Sequence, residues 1–291
     1  MHRRLTAPYV LLVPGMLLLS VFLIVPSLYG FWLSLHEFDG LNVGEWSGLS
    51  QYLAVLRDPE FRSSLWHTVV FAIIVVIGKN VVGLALAVLM NAPLRGIRIA
   101  RTLVFLPVTM NIIVIGAFWT FFLSASRFGG LFNEMLNAAG LGVLQASWLS
   151  SEATALASVA AVEIWRWAGL HMLLFLAGMQ AIEPQLYDAG RMDGANSWQR
   201  FWNITLPQLG PVLSVSILLA LMGAFVRSFD VVWVLTRGGF GTDVVVTHMY
   251  YEAFQFSRFG RAAAMGYVLF AIIAVITFTF LLITKRSGRD D

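Results

Sequence analysis

Apolar residues run in long unbroken stretches along this chain, and polar residues gather in the gaps between them. Six stretches reach the roughly 20 residues that an α-helix needs to cross a bilayer: Tyr9–Leu35, Trp66–Met90, Leu103–Leu123, Ala153–Ile182, Pro207–Leu235 and Ala262–Thr284. Helices that are apolar on every side belong in a large core or in lipid, and no gap could hold a soluble domain of independent size. The pattern predicts an all-α membrane protein of six transmembrane helices, one membrane domain over residues 1–291.

The gaps carry patterns of their own. After the first run, GLSQYLAVLRDPEF spaces Leu, Tyr and Val for a short surface helix ahead of Asp58-Pro59. After the third, GGLFNEMLNAAGL puts Leu131, Phe132, Met135, Leu136 and Ala139 on one face, as in helices lying at a membrane interface. After the fifth, TRGGFGTDVVVTHMYYEAFQFSRFG starts glycine-rich and ends aromatic, which predicts an ordered cap.

The gap from 183 to 206 is the most structured. Glu183-Pro184 ends helix four, because the residue before proline is pushed out of the α region. Leu186, Ala189 and Met192 then share one face, while Asp188 and Arg191 stand at i,i+3 on another. Gly194 permits a sharp reversal. A second amphipathic helix follows through Trp198, Phe201 and Trp202, and Pro207 suits the first turn of helix five. The expected product is a helix–turn–helix lying along the membrane surface, presenting one knob to a partner or packing under its own bundle.

Composition agrees: hydrophobic residues are 58% of the chain and charged ones 12%, about half the charge of an average soluble domain. Basic residues in short loops set orientation. With the N-terminus inside, the inner segments hold ten (Arg3, Arg4, Arg95, Arg98, Arg101, Arg191, Arg200, Lys285, Arg286, Arg289) and the longer outer segments six (Arg57, Arg62, Arg127, Arg237, Arg258, Arg261). Both termini are therefore expected in the cytoplasm, with the 183–206 segment on the same side. The first run is too long for a signal-peptide core and lacks a small-x-small cleavage site, so it reads as a retained helix.

Chemistry is sparse. Without cysteine there is no thiolate or disulfide chemistry. His2, His36, His67 and His248 show no metal-ligand spacing, and Asp39, Asp58 and Asp243 read as solvated loop acids. Gly78-Lys79 is followed by Asn80 inside an apolar run, so it is no phosphate-binding loop. Neither H-E-x-x-H nor G-x-S-x-G occurs. No cofactor, metal or enzymatic role is expected of this chain. Basic residues near the inner surface suit anionic membrane lipids, with no sign of a nucleic-acid partner.

Asp188-Ala189-Gly190, three residues, Gly194, nine residues and Ile204-Thr205-Leu206-Pro207 resemble the EAA loop, E-A-A-x3-G-x9-I-x-L-P, of binding-protein-dependent ABC transporter permeases. Asp stands for Glu and Gly for the second Ala. PYVLLVPGMLLLSVFLIVPSLYGFWLSL, RTLVFLPV, LLFLAGMQAIEPQLYDAGRMDGA and VWVLTRGG extend the likeness over nearly the whole chain, toward the sugar-importer (MalF/UgpA-like) branch. The resemblance implies a coupling helix in which Asp188, Ala189, Gly190, Asp193 and Gly194 dock on a cytoplasmic ATPase. It further implies a heterodimer with a second homologous permease subunit, two nucleotide-binding ATPase subunits holding ATP and Mg, and an extracytoplasmic solute-binding (lipo)protein. Inward transport of a mono- or oligosaccharide across the cell membrane is the implied function.

Ionisable residues inside membrane helices mark polar cavities or each other. They are Lys79, Glu163, Arg166, Arg227 and Asp230, and Glu163/Arg166 and Arg227/Asp230 have the i,i+3 spacing of self-neutralising pairs. Around them stand Trp165, Trp167, Phe225, Phe229 and Trp233, with Asn111, Trp119 and His171 as further candidates for a solute path. Aromatic faces beside bidentate donors suit a sugar. A close alternative within the family that the chain resembles is import of a glycerol-phosphate or another anionic polyol derivative, for which Lys79, Arg166 and Arg227 would be the phosphate or carboxylate ligands. A self-sufficient secondary transporter and a membrane-embedded enzyme are the rival classes.

Overall fold

The computed structural model describes residues 7–92, 95–124 and 130–287, with side chains over 12–92, 95–124 and 130–284. Arg3, Arg4, Arg127 and Arg289, counted above for orientation, and His2 lie outside the described residues, and the side chains of Lys285 and Arg286 outside those described. Along the chain, helices α1 (Ala7–Leu19) and α2 (Val25–Leu33) are joined by the π-helical turn Ser20–Ile24. Strands β1 (His36–Phe38) and β2 (Val43–Trp46) follow, then α3 (Ser50–Arg57) and α4 (Pro59–Met90). Next come α5 (Ile97–Thr109), α6 (Ile112–Leu123), α7 (Leu131–Ala138) and α8 (Ala155–Ala181). The 183–206 region contains α9 (Pro184–Met192), α10 (Ser197–Arg200) and a π-helical turn, and α11 (Leu206–Gln208) leads on to α12 (Gly210–Val226) and α13 (Ser228–Leu235). Helices α14 (Val245–Tyr250) and α15 (Phe259–Ser287) complete the order.

Among the described residues, four helices are long and apolar enough to cross a membrane: Leu12–Ser34, Pro59–Met90, Ala155–Ala181 and Phe259–Thr284. Two further pairs reach the length only together, Ile97–Thr109 with Ile112–Leu123 bent by 100° and Ser197–Gln208 with Gly210–Val226 bent by 67°. The protein is thus a multi-pass membrane protein with four, up to six, apolar spans. The single helices expected over 103–123 and 207–235 are broken. At the first break Met110 is extended (ψ 145°) and the Asn111 side chain caps α6, its Oδ1 accepting from the Ile113 N–H at 2.8 Å. In the second run, α12 starts at Gly210 with Pro211 in its first turn, so Pro207 sits in the preceding short helix and not at the start of helix five.

The chain divides into two compact units. In the first, residues 1–62 with 248–274, a two-stranded antiparallel hairpin pairs His36 with Trp46 and Phe38 with Val43. It is an exception to the all-α expectation. Its turn is closed by Asp39 Oδ1, which accepts from the N–H groups of Asn42 (2.7 Å) and Leu41 (2.8 Å), and these bonds hold the Asp39 carboxyl below its usual pKa. The expected surface helix is present as α3, and the side chains of Leu17, Phe22 and Leu23 on the first span are exposed, as suits a lipid-facing or subunit-facing surface.

The second unit, residues 63–247 with 275–291, holds the core. Ala87, Met172, Phe175, Leu176, Met179 and Leu209 form a buried cluster joining α4, α8 and the start of α12. His171 Nδ1 and Ser216 Oγ, 2.7 Å apart and both buried, tie α8 to α12. The interfacial helix expected in 124–152 is α7, tied by Asn133 Oδ1 to the indole N–H of Trp148 at 2.8 Å.

Candidate functional site

Lys79 and Glu163 are brought together from α4 and α8, Nζ to Oε1 at 2.7 Å, with both side chains 2% exposed. The approach depends on Gly78, where an added Cβ would lie 2.2 Å from Ile164 Cδ1. The glycine before Lys79 therefore serves helix packing. Glu163 pairs across helices with Lys79 rather than along its own helix with Arg166, which corrects the i,i+3 expectation. Likewise no ion pair joins Arg227 to Asp230 among the described residues, because the helix breaks at Arg227 (φ −100°, ψ 5°) and the helical register does not continue across it.

Trp167 is the hub of this cluster. Its ring centre lies 4.6 Å from the Arg227 guanidinium carbon, 5.3 Å from that of Arg166 and 5.6 Å from Lys79 Nζ, all within the range of cation–π attraction. Gly223 on α12 completes it: a Cβ there would stand 3.5 Å from both Lys79 Nζ and Arg227 Nη2. Reading by residue type missed Gly223, because a lone glycine in an apolar helix carries no chemistry of its own. The arrangement concentrates three cations and one carboxylate around an aromatic face, inside helices of membrane-spanning composition.

The remaining candidates lie elsewhere. Phe229 and Trp233 stack at 5.3 Å on α13, and Trp233 lines an open cavity of about 900 Å³ with Gly116, Thr120, Glu134 and Arg237. Asp230 is exposed on the same helix. Trp119 packs edge-on against Trp165 at 5.3 Å and lines a separate apolar cavity of about 450 Å³ with Phe122, Phe132 and Trp148. Asn111 is spent on capping α6. Of the ten path candidates, Lys79, Glu163, Arg166, Trp167 and Arg227 form one constellation, and Asn111, Trp119, Phe229, Asp230 and Trp233 do not join it.

The 183–206 segment folds as a helical hairpin. Ile182 and Glu183 are extended and Pro184 opens α9. Gly194 takes φ +76° at the tip, the left-handed region that side chains disfavour. Asn196 and Gln199 form a reciprocal capping box, with bonds of 2.9 and 2.8 Å. The two arms are clasped: Arg200 donates to the Ala195 carbonyl at 2.8 Å, the Tyr187 and Thr205 hydroxyls meet at 3.0 Å, and Gly190 leaves room for Ile204. Asp188, Ala189, Asp193 and Gly194 are exposed and Gly190 half-buried. Arg191 donates to Asp188 at 3.0 Å. Met192, Trp198 and Trp202 are exposed large apolar side chains on the same hairpin.

In the first unit Asp58, His248 and Glu252 put ligand-type atoms within 4.8 Å of one another. Asp58 is thus not a solvated loop acid. Arg261 donates to it, and the Arg258 and Arg261 guanidiniums lie 3.7 and 3.8 Å from Glu252 Oε2. Two guanidiniums already supply the positive charge there, so the set does not fit a bound cation.

The profile of the family described as "binding-protein-dependent transport system inner membrane component" matches residues 79–286. The chain belongs to this family. As one of its permease subunits it is a transport component, not an enzyme. The permease is 32% identical over 288 residues to a probable ABC transporter permease of Brucella abortus, covering 98% of this chain and 99% of that one. It is also 32% identical over 292 residues to the trehalose/maltose transport system permease MalF of Thermococcus litoralis, covering 99% and 97%. Among solved structures, a bacterial ABC transporter involved in import of the acidic polysaccharide alginate aligns with TM-score 0.85 at 24% identity, over 98% of this chain and 96% of that one, a likeness of fold.

Proposed function

We propose that this permease is one half of the transmembrane heterodimer of an ATP-driven importer of the MalF/UgpA-like branch, carrying a carbohydrate inward across the cell membrane. The observation that carries the reading is the clasped, exposed hairpin at 183–206, set in a chain of the binding-protein-dependent family. Six spans with both termini cytoplasmic would put that hairpin on the cytoplasmic face, where Asp188, Ala189, Gly190, Asp193 and Gly194 dock on one of two ATPase subunits. ATP and Mg stay with those partners. An extracytoplasmic solute-binding protein delivers the solute from outside, and the Trp167 cluster meets it midway. The trehalose/maltose system of the Thermococcus relative and the alginate import of the structural neighbour support a saccharide as cargo.

Pull-down from detergent-solubilised membranes tests this. Wild-type chain should recover a second permease and an ATPase. Gly194→Trp, strained by its positive φ and bulky at the tip, should lose the ATPase and keep the permease, whereas Gly194→Asn, which tolerates that φ, should keep both. Recovery of the chain alone from wild type, folded, would leave a self-sufficient secondary transporter.

A further inference from the structure

We infer that the cluster around Trp167 takes the carboxylate or phosphate of an acidic saccharide or polyol, so that the solute of this importer is an anion. The inference rests on the importer reading above and names the chemistry of its cargo. Lys79 and Glu163 pair through Oε1 at 2.7 Å, which leaves Glu163 Oε2 buried without a hydrogen-bond partner. Two guanidiniums remain, Arg166 and Arg227, and neither forms an ion pair among the described residues. Asp230, three residues beyond Arg227, joins neither.

Two positive charges in excess are costly inside a membrane domain and call for a counter-charge. A guanidinium held against a ring face keeps the N–H donors along its edge, the fork that matches carboxylate and phosphate oxygens. Arg166 Nε is buried with no hydrogen-bond partner, a donor awaiting an acceptor in a class of groups that is almost always satisfied. Arg227, against the same ring at 4.6 Å, is exposed at the helix break and open to an incoming anion. A neutral sugar would supply hydroxyls but no compensating charge.

The test uses the permease with its co-purified partners in detergent, and follows thermal unfolding with D-glucuronate against its methyl ester and with glycerol 3-phosphate against glycerol, at equal ionic strength. An acid of either kind should raise the midpoint by about 2 °C or more at saturation, the neutral counterparts much less. The Arg166→Gln/Arg227→Gln variant should lose the acid-specific rise and Arg166→Lys/Arg227→Lys should keep part of it. If the double variant does not assemble, Arg227→Gln alone, at an exposed position, gives the same reading. Equal shifts for acid and neutral forms, or no acid-specific shift, would overturn the inference; the second result is also what a partner subunit's carboxylate closing the cluster would give. Which of glucuronate and glycerol 3-phosphate acts separates carboxylate from phosphate cargo. Absence of an ATPase from the preparation would count against the importer reading, whereas an ATPase present without an acid-specific shift would count against the anion site alone.

Discussion

Lys79–Glu163 and Asp188–Arg191 are ion pairs of the same chemistry, with contacts of 2.7 and 3.0 Å, in opposite surroundings. The first joins two helices and is 2% exposed on both sides; the second joins adjacent turns of one helix and is 64% and 67% exposed. In water, charges at that distance gain little, and side-chain entropy and salt consume most of it. In a dry helix interface each charge is costly alone, so removing one partner strands the other. The buried pair therefore constrains how α4 and α8 can fold together, and the exposed pair leaves the hairpin surface available for recognition.

The sharpest way to break this comparison is Glu163→Gln. Stranding Lys79 should cost about 3–5 kcal/mol of stability in detergent unfolding, and Lys79→Met/Glu163→Met should recover most of it. Equal losses in the single and double variants would mean that packing, not charge, sets the penalty. A smaller effect is expected at the hairpin's capping box: Asn196→Ala should cost about 1 kcal/mol, visible as faster amide exchange at residues 197–200, with exchange in α8 unchanged. Smallest of all, Asp188→Asn should shift unfolding by less than about 1 kcal/mol while weakening capture of the ATPase. A stability loss as large as that of Glu163→Gln would abolish the contrast.

Much of this was legible along the chain. Each apolar run is helical over most of its length, and the 183–206 hairpin appears with its turn at Gly194, because apolar length and left-handed turns are local properties. The breaks at Met110 and Arg227 were hidden by unbroken hydrophobicity. The β1–β2 hairpin had a signal in Asp39-Gly40, a dipeptide that favours tight turns, but it lay beside a run read for helices. The pairing of Lys79 with Glu163 was not legible at all: three cations were available to one carboxylate, and i,i+3 spacing favoured the wrong one. Which one it meets depends on helices packing through Gly78 and Gly223, and one-dimensional spacing does not encode that.

The same pair sets a schedule for synthesis. Glu163 follows Lys79 by 84 residues, which at about 5–20 residues per second places its partner roughly 4–17 seconds behind it on the ribosome. During that interval Lys79 has to wait without its carboxylate, at the lipid boundary or in the insertion machinery, since an unpaired lysine at mid-bilayer costs about 2.5–3.5 kcal/mol even on insertion scales. Arrival of α8 ends the wait, so α4 cannot be finally seated until the fourth run has been made. Asp188 and Arg191, three residues apart, emerge almost together and impose no such order.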